Sequence, residues 1–505
     1  MLRFVRLFIL SLACTIHGAA MATPRASEST HHFRCGGDVE MQVWSLWDTE
    51  VKKYLLHNLL DKRLIEKGDV YALYDFQTYA HNAVAMARRC ERIPRLLEIA
   101  DLINKAYDVL RPGSLLSAGR RWICTGGEIC NEKNQLLNRE VLLCSSQFLG
   151  IAASVANALS LADRPLPPAG EAFIVATVKI ATEHLHRWGN QKTIENLRQA
   201  AKASPENVTD GNFSLLFSDK SLWHIAIYAE LSGIAQSRKQ GQVAAITRQV
   251  TRSSDYLITL LQLFKHRVTT RTLVNNQGTR VMVADLDRGF WRLYPDNRYA
   301  GYEGVEKPVV CVQAINSTSN AIPRMLIPAR SVAPRPDTGW DFSHARRLVH
   351  ALDALSRNWE AVQTVFKLPR THEEPKALLQ AFSNNLIANV WNGDMATPLF
   401  SNYWSGANGW YRVAYDNGTG ECEEGSPPYS MSESFATGGY ITWARYRHEI
   451  GALGKQLYGM VVNDKHTSSV VVSRYYSRLS EDTEATIRAL NRFAFFSTMV
   501  GVGIE

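Results

Sequence analysis

Segments with apolar residues at helical spacing recur along the chain, and they come in pairs separated by proline, glycine or polar breaks. Helices are predicted at 38–67, 71–89, 94–112, 138–162, 169–188, 215–236, 243–266, from 340 through 377 to 391, from 432 onward, and at 481–500. The first member of several pairs is rich in Ala, Ser, Gly and aromatic residues, and the second is more charged. This asymmetry predicts an inner set of buried helices surrounded by an outer, solvated set.

One region departs from the helical pattern. The β-branched residues from Thr269 to Val283 flank the turn-forming run 275–278, which predicts a β-hairpin. A loop rich in acids and aromatics follows at 285–304 and includes Trp291. We therefore predict a loop and β-hairpin insertion at 269–330, and long loops of this kind are usually functional.

The stretch 403–446 alternates aromatic rings with glycines and polar groups, and most of it is too irregular for a helix. Such a loop presents flat apolar faces beside hydrogen-bonding groups, as a pocket for a polar, ring-shaped ligand requires. The alternative is a packed surface loop that caps a helical core. As candidate ligand-binding residues we name Trp404, Trp410, Arg412, Tyr440 and Trp443 here, with Trp291 from the preceding loop.

The first 22 residues have the features of a secretory signal peptide. Arg3 and Arg6 precede an apolar run, and 20–22 offers small residues for cleavage after Ala22. A polar entry segment, 23–37, and one domain, 38–505, follow. This predicts a periplasmic or secreted product with no later membrane span.

Loss of that leader lowers the formal net charge from +8 to +6, because the leader holds two arginines and no acid. The mild positive excess suits an anionic partner such as a uronate-containing polysaccharide. No basic run with interleaved aromatics is present, which argues against a nucleic-acid partner. No zinc-ligand spacing and no nucleotide-cofactor fingerprint appears, so neither a metal nor a cofactor is predicted.

Seven cysteines remain after the leader, an odd number. In an oxidising compartment Cys124 could pair with Cys130, and Cys311 could meet Cys422. At least one thiol must then stay free or pair outside the chain.

Five or six helical hairpins of uneven length with aromatic loops between them resemble the (α/α) toroid of six-hairpin glycosidases and of toroid polysaccharide lyases. The resemblance covers residues 38–500 and concerns layout, since no family signature is present. It implies an all-α, (α/α)6-like toroid in which the starts of inner helices and the long loops line a central funnel. No catalytic residue is carried over from either family.

Glycoside hydrolysis needs two carboxyl groups, one as acid and one as base or nucleophile. The acids near predicted inner-helix starts or aromatic loops are Asp75, Asp285, Asp287, Asp341, Asp416 and Glu433. For Asp75 and Asp341 the simpler interpretation is helix capping or a favourable helix-dipole contact, and Glu433 has a similar alternative.

Elimination from a uronate needs a group that neutralises the carboxylate and a base that removes the C5 proton. Candidates are Asn408, Tyr411 and Arg412 in the aromatic loop, with His344 and Arg346, or His81, on helices. His344 lies three residues after Asp341, so the carboxylate could fix the histidine tautomer. A buried structural histidine is the alternative for His81 and for His344.

These observations predict an exported enzyme that cleaves glycosidic bonds of an acidic polysaccharide, as a lyase or as a glycoside hydrolase. Two other classes stay open: a non-catalytic glycan-binding or scaffold protein of an envelope polysaccharide system, and a uronate epimerase.

Overall fold

The computed structural model describes residues 31–112, 119–207, 215–237, 240–274, 278–291, 307–311, 324–326, 337–369, 375–413, 424–463 and 466–503. The predicted leader, Asp416 and Cys422 lie outside these residues, as do 292–306 and most of the predicted insertion beyond them. The chain is 65% helix and 6% strand, which confirms a mostly α-helical class.

The described helices, in chain order, are α1 Asp38–Leu46, α2 Tyr71–Arg89, α3 Ile93–Asp108, α4 Leu142–Ser160, α5 Pro168–Trp188, α6 Gln191–Ala200, α7 Asp219–Ser237, α8 Gln240–Val250, α9 Ser254–Arg267, α10 Phe342–Arg357, α11 Trp359–Phe366, α12 Lys376–Asn385, α13 Glu433–Thr437, α14 His448–Val462, α15 His466–Tyr475 and α16 Ala485–Val502. Three π-helical stretches, Trp47–Val51, Tyr54–Glu66 and Leu386–Val390, extend α1 and α12, and a 3₁₀ segment spans Tyr440–Arg445. Helix α6 was not predicted from the sequence.

Two short antiparallel sheets interrupt the helices. The predicted hairpin is present as β1 Val268–Val274 and β2 Arg280–Leu286, with Val268 opposite Leu286. A second pair joins β3 Val309–Cys311 to β4 Arg324–Leu326. β2 packs against α12, so the hairpin is attached to the helical core.

The most extensive helix packing joins α2 to α16 and to α4, α4 to α7, and α7 to α10. α10 in turn contacts α13 and the 3₁₀ segment Tyr440–Arg445, and both of these contact α16. α4 and α7 are buried on all sides, because they consist largely of small and apolar residues. The predicted inner, small-residue class of helix is confirmed for these two.

α4 is also the described helix that is long and apolar enough to cross a membrane, but 89% of its apolar window is buried inside the fold. A core helix passes the same length and hydropathy criteria, and its burial here is explained by packing against α2, α5 and α7.

The contacts between these helices show their relative direction. Along α2 and α10, Tyr74 meets Arg346, His81 meets His350, and Arg88 meets Asp353, in the same order on both helices. The two helices therefore run parallel. By the same test α4 runs parallel to α7, because Gln147 bonds Trp223 and Asn157 bonds Glu230.

α7 is parallel to α10 by the same criterion, since Trp223 stacks on His350 and Glu230 pairs with Arg357. α16 is parallel to α2, because Asn82 bonds the Ala494 carbonyl and Arg89 bonds that of Val500. The N-terminal ends of five long helices thus lie on one side of the molecule.

Two disulfides join Cys35 to Cys90 and Cys124 to Cys130, and Cys144 is a buried free thiol. The pairing of Cys124 with Cys130 was predicted, whereas that of Cys35 was not. The bonds favour an oxidising, extracytoplasmic location. The suggested partner of Cys311 lies outside the described residues.

Candidate functional site

The aromatic loop is attached to the N-terminal end of α10. Asp341 pairs with Tyr403 in a β-bridge, Trp404 N donates to the Trp340 carbonyl at 2.8 Å, and Phe342 N donates to the Asn402 carbonyl at 2.8 Å. These backbone hydrogen bonds bring the loop beside the first turn of the helix. The loop therefore places its side chains over the side of the molecule where the parallel helices begin.

Asp341 is fully buried and uses its two carboxylate oxygens differently. Oδ1 caps α10, because it accepts from Ser343 N at 2.9 Å, from Ser343 Oγ at 2.6 Å and from His344 N at 3.0 Å. Oδ2 lies 2.6 Å from His344 Nδ1 in an ion pair that lacks hydrogen-bond geometry. Both sequence interpretations of Asp341, as helix cap and as histidine partner, are thus combined in one side chain.

The electrostatics of the pair favour an ionised carboxylate. Burial raises the pKa of the Asp341 carboxyl, but the charge of His344 and the hydrogen bonds from Ser343 and His344 outweigh burial and lower it to about 2. Asp341 is therefore unsuited to donate a proton as a general acid near neutral pH. It is suited to orient and stabilise a charged imidazole.

Three further groups surround His344, whose side chain is 14% exposed. The Tyr411 hydroxyl lies 3.5 Å from His344 Nδ1, and Arg412 Nε donates to that hydroxyl at 3.0 Å. Trp291 packs edge-on against the imidazole, with ring centroids 5.5 Å apart. Arg412 has a positive φ of 55°, an uncommon backbone conformation outside glycine. A histidine, a phenol and a guanidinium are thus brought together by one helix start and one loop.

A second phenol lies one helix away, at the start of α2. The Tyr74 hydroxyl accepts hydrogen bonds from Arg346 Nη2 at 2.9 Å and from Arg347 Nη2 at 2.7 Å. Burial raises the pKa of Tyr74, but the Arg347 and Arg346 charges outweigh it and lower the pKa below its ordinary value. Because arginine cannot accept a proton from the phenol, this arrangement stabilises the phenolate.

Tyr74 and Arg347 were not among the predicted site residues, whereas Arg346 was. The sequence does indicate a polar face on this helix, because Tyr74, Thr78 and His81 are spaced to lie on one side of it. The prediction selected the neighbouring carboxylate of Asp75 instead. What single-sequence analysis lacked was the pairing of α2 with α10, which supplies both arginines.

Two other predicted acids lie away from His344 in separate ion pairs. Asp75 Oδ2 accepts from Arg63 Nη1 at 2.5 Å. Glu433 Oε1 accepts from Arg478 N at 2.8 Å, and burial raises the pKa of that carboxyl. Each acid has a cationic neighbour, and neither forms a side-chain helix cap. Glu433 lies in the first turn of α13, as the helix-dipole alternative requires, whereas Asp75 lies one turn inside α2.

The acids at the end of β2 form another group. Asp287 pairs with Arg267 at 2.5 Å and accepts from Phe217 N at 3.1 Å. Asp285 lies 3.4 Å from Arg288. Both carboxylates are buried and hold the hairpin to the helices.

Among the described residues no second carboxylate lies beside Asp341 at His344. A hydrolytic pair would require one.

Asn408 and three predicted binding aromatics have structural contacts. Asn408 Oδ1 accepts from Asn402 N and from Tyr429 N, which fixes the loop. Trp404, Tyr440 and Trp443 are at most 1% exposed and pack with Phe342 in an aromatic cluster. These three rings belong to the core and present no exposed face to a ligand. This part of 403–446 is therefore a packed loop that caps the helical core, which was the alternative interpretation.

Trp410, Tyr411 and Trp291 are also buried, at 7%, 2% and 4% exposure, and the Trp410 carbonyl accepts from the Tyr403 hydroxyl at 3.1 Å. His81 lies beside His350, nearer the C-terminal end of α10 than His344, with the two rings tilted at 35° and their centroids 4.1 Å apart. The structure therefore brings together His344, Tyr411, Arg412 and Trp291 and separates them from His81. No group of three metal-ligating side chains occurs among the described residues.

Comparisons with protein-family models, with curated proteins and with solved structures found no match for this chain. The candidate site therefore rests on its own geometry: the described residues that it joins are Asp341, His344, Tyr411, Arg412, Trp291, Tyr74, Arg346 and Arg347.

Proposed function

We propose that the protein is an exported polysaccharide lyase that cleaves an acidic, uronate-containing chain by β-elimination. The observation that carries the proposal is the cluster at the start of α10, in which Tyr411 OH lies between His344 and Arg412 while Asp341 holds the histidine. A lyase needs a proton acceptor, a cation for the uronate carboxylate and a proton donor for the leaving oxygen. The cluster contains each chemical type.

In the proposed reaction one of the two groups, Tyr411 or His344, takes the C5 proton. The electron pair forms the C4–C5 double bond, the C4–O bond breaks, and the leaving oxygen receives a proton from the other group. Arg412 offsets the charge that develops on the uronate carboxylate. Asp341 keeps the imidazole oriented and is not itself a proton donor, because its pKa is low.

The charge around the cluster favours an anionic substrate. Arg346, Arg347 and Arg412 lie on the same side of the molecule as the N-terminal ends of α2, α4, α7, α10 and α16. Helix N-termini carry partial positive charge and attract anions. The hydrolase alternative is weaker, because it needs a second carboxyl group that the described residues around His344 do not supply.

We infer a toroid arrangement from the order in which the helices contact one another. Extensive contacts run from α16 through α2, α4 and α7 to α10, and smaller contacts of α10 with α13 and with the 3₁₀ segment lead back to α16. A closed order of parallel inner helices is what an (α/α) toroid requires. An experimental structure in which α16 does not contact α2 would end this part of the proposal.

The test is incubation with a panel of acidic and neutral polysaccharides, following ultraviolet absorbance and reducing ends together. New absorbance of an unsaturated uronate, with matching reducing ends, is the expected result. New reducing ends without that absorbance would indicate a hydrolase. An altered sugar configuration in a polymer of unchanged length would indicate an epimerase. Binding without any product would support the scaffold class instead.

Variants connect the activity to the cluster. Tyr411→Phe and His344→Gln should each lower the elimination rate by about 10²–10⁴-fold, the usual contribution of a proton-transfer group. Tyr475→Phe, which removes a hydroxyl on α15 beside Arg474, is the matched control and should keep full activity. Full activity in both site variants would refute the assignment.

A further inference from the structure

A small polar cavity lies among the same parallel helices, nearer their C-terminal ends. It has a volume of about 20 Å³ and is lined by side chains of α2, α4, α10 and α16 and of the 3₁₀ segment Tyr440–Arg445. His350, which lines this cavity, lies six residues after His344 on α10, or about 9 Å along the helix axis. The cavity is therefore separate from the proposed catalytic cluster.

Charged groups around this cavity are mostly paired, with one positive charge in excess. Asp353 lies 2.7 Å from Arg357 Nε, 3.4 Å from Arg445 Nη1 and 3.7 Å from Arg88 Nη2. Arg357 also pairs with Glu230 at 2.6 Å. Three guanidinium groups thus face two carboxylates. The two histidines nearby add no charge near neutral pH, because burial lowers the pKa of both His81 and His350.

Several polar groups face this space without a protein partner. The Arg88 guanidinium donates no hydrogen bond to any residue that the structure describes, and its contact with Asp353 is longer than a hydrogen bond. The Ser154 side chain is only 3% exposed, lines the cavity, and likewise bonds no described residue. The Arg88 side chain is 16% exposed, and Ser154 is buried. Donors that face a cavity without a protein partner are usually satisfied by water or a bound ligand.

We propose that this cavity binds a small monatomic anion of the halide type between Arg88 and Ser154. The excess positive charge and the surplus of donors favour an anion over a neutral water molecule. The volume admits about one water-sized particle and excludes four-oxygen anions such as sulfate. The bound ion completes the charge balance and ties α2 to α4 and α10.

The test uses the full protein in chloride, in bromide and in gluconate at equal ionic strength. Crystals grown in bromide should show an anomalous scattering peak beside the Arg88 guanidinium. Chloride and bromide should raise the melting temperature saturably, by about 1–2 °C over gluconate. Arg88→Gln should abolish this halide-specific rise, whereas Arg198→Gln, which removes an exposed charge on α6, should leave it unchanged.

Ser154→Ala keeps the charges and removes one donor, so it should weaken halide binding several-fold even if Arg88→Gln fails to fold. Density in the cavity without anomalous signal would show water and overturn the proposal. Equal melting temperatures in halide and gluconate would do so as well. Neither result bears on the lyase activity, which is measured separately.

Discussion

Asp341 shows how one side chain can serve the fold and the site together. Its Oδ1 satisfies backbone N–H groups at the start of α10, while its Oδ2 faces the imidazole of His344. A helix cap contributes typically about 1 kcal/mol, and a neutral amide caps nearly as well as a carboxylate. The two roles can therefore be separated by substitution.

Asp341→Asn should keep the cap and lose the ion pair. We expect a modest fall in the free energy of unfolding, because the contact with His344 is lost, and a fall in the elimination rate of about 10²–10⁴-fold. Asp341→Ala should in addition lose about 1 kcal/mol of stability. Urea unfolding measured beside the rate on the substrate checks both statements, and an Asn variant with wild-type rate would contradict the positioning role.

Tyr74 is the second residue whose environment makes a measurable prediction. Its hydroxyl accepts from two guanidinium groups, so its pKa is lowered despite burial. Ultraviolet difference titration should show one tyrosine that ionises before the ordinary range near 10. Tyr74→Phe should remove that early step, and Arg347→Gln should move it to higher pH. An unchanged titration in Tyr74→Phe would contradict the assignment.

At the scale of elements, close packing of α4 against α7 depends on glycine. A Cβ atom placed on Gly150 would lie 2.4 Å from Trp223 Cε3, a distance that real contacts do not reach. Trp223 is fully buried and also donates to Gln147 at 3.2 Å, so it cannot move aside freely. The small residue therefore sets the distance between the two helices.

Gly150→Ala should lower the free energy of unfolding by about 1–3 kcal/mol, the usual cost of overpacking. The matched control is Gly459→Ala in α14, where an added Cβ would meet only Asn463 Nδ2 at 3.9 Å. There alanine's better helix propensity should stabilise the protein by up to about 1 kcal/mol. Equal effects of the two variants in thermal or urea unfolding would show that the packing is looser than described.

At the scale of the whole molecule, four histidines lie among the helices and stay neutral. His184 and His224 are buried, and His81 and His350 are partly buried at the small cavity. Burial lowers the pKa of His81 and of His224 to about 3 and that of His184 to about 4, and it lowers the pKa of His350 well below its ordinary value. The unfolded chain binds protons at these residues below about pH 6.5, while the folded chain does not. The contribution of these histidines to the free energy of unfolding is therefore fully present above that pH, and it is lost as the pH falls toward 4.

Between pH 7.5 and 5.5 each such histidine should lower the free energy of unfolding by on the order of 1 kcal/mol, and the four together by on the order of 5 kcal/mol. Urea unfolding at the two pH values measures this difference. His224→Gln should reduce the difference by about a quarter, whereas His448→Gln, whose side chain is 91% exposed, should leave it unchanged. Stability independent of pH across this range would contradict the described burial.

The sequence alone determined the helical class, most helix positions, the β1–β2 hairpin and the Cys124–Cys130 bridge, because periodicity, turn residues and short-range spacing are local properties. It also identified Asp341 and His344 as a pair, since three residues along a helix bring side chains together. Only the tertiary structure decided that Tyr411 and Arg412 reach this pair, that Tyr74 accepts from two arginines, and that Trp404 and Tyr440 are core rather than surface. These outcomes depend on which helices pack together and which loop lies on their ends, and such long-range pairings leave no periodic trace in a single chain.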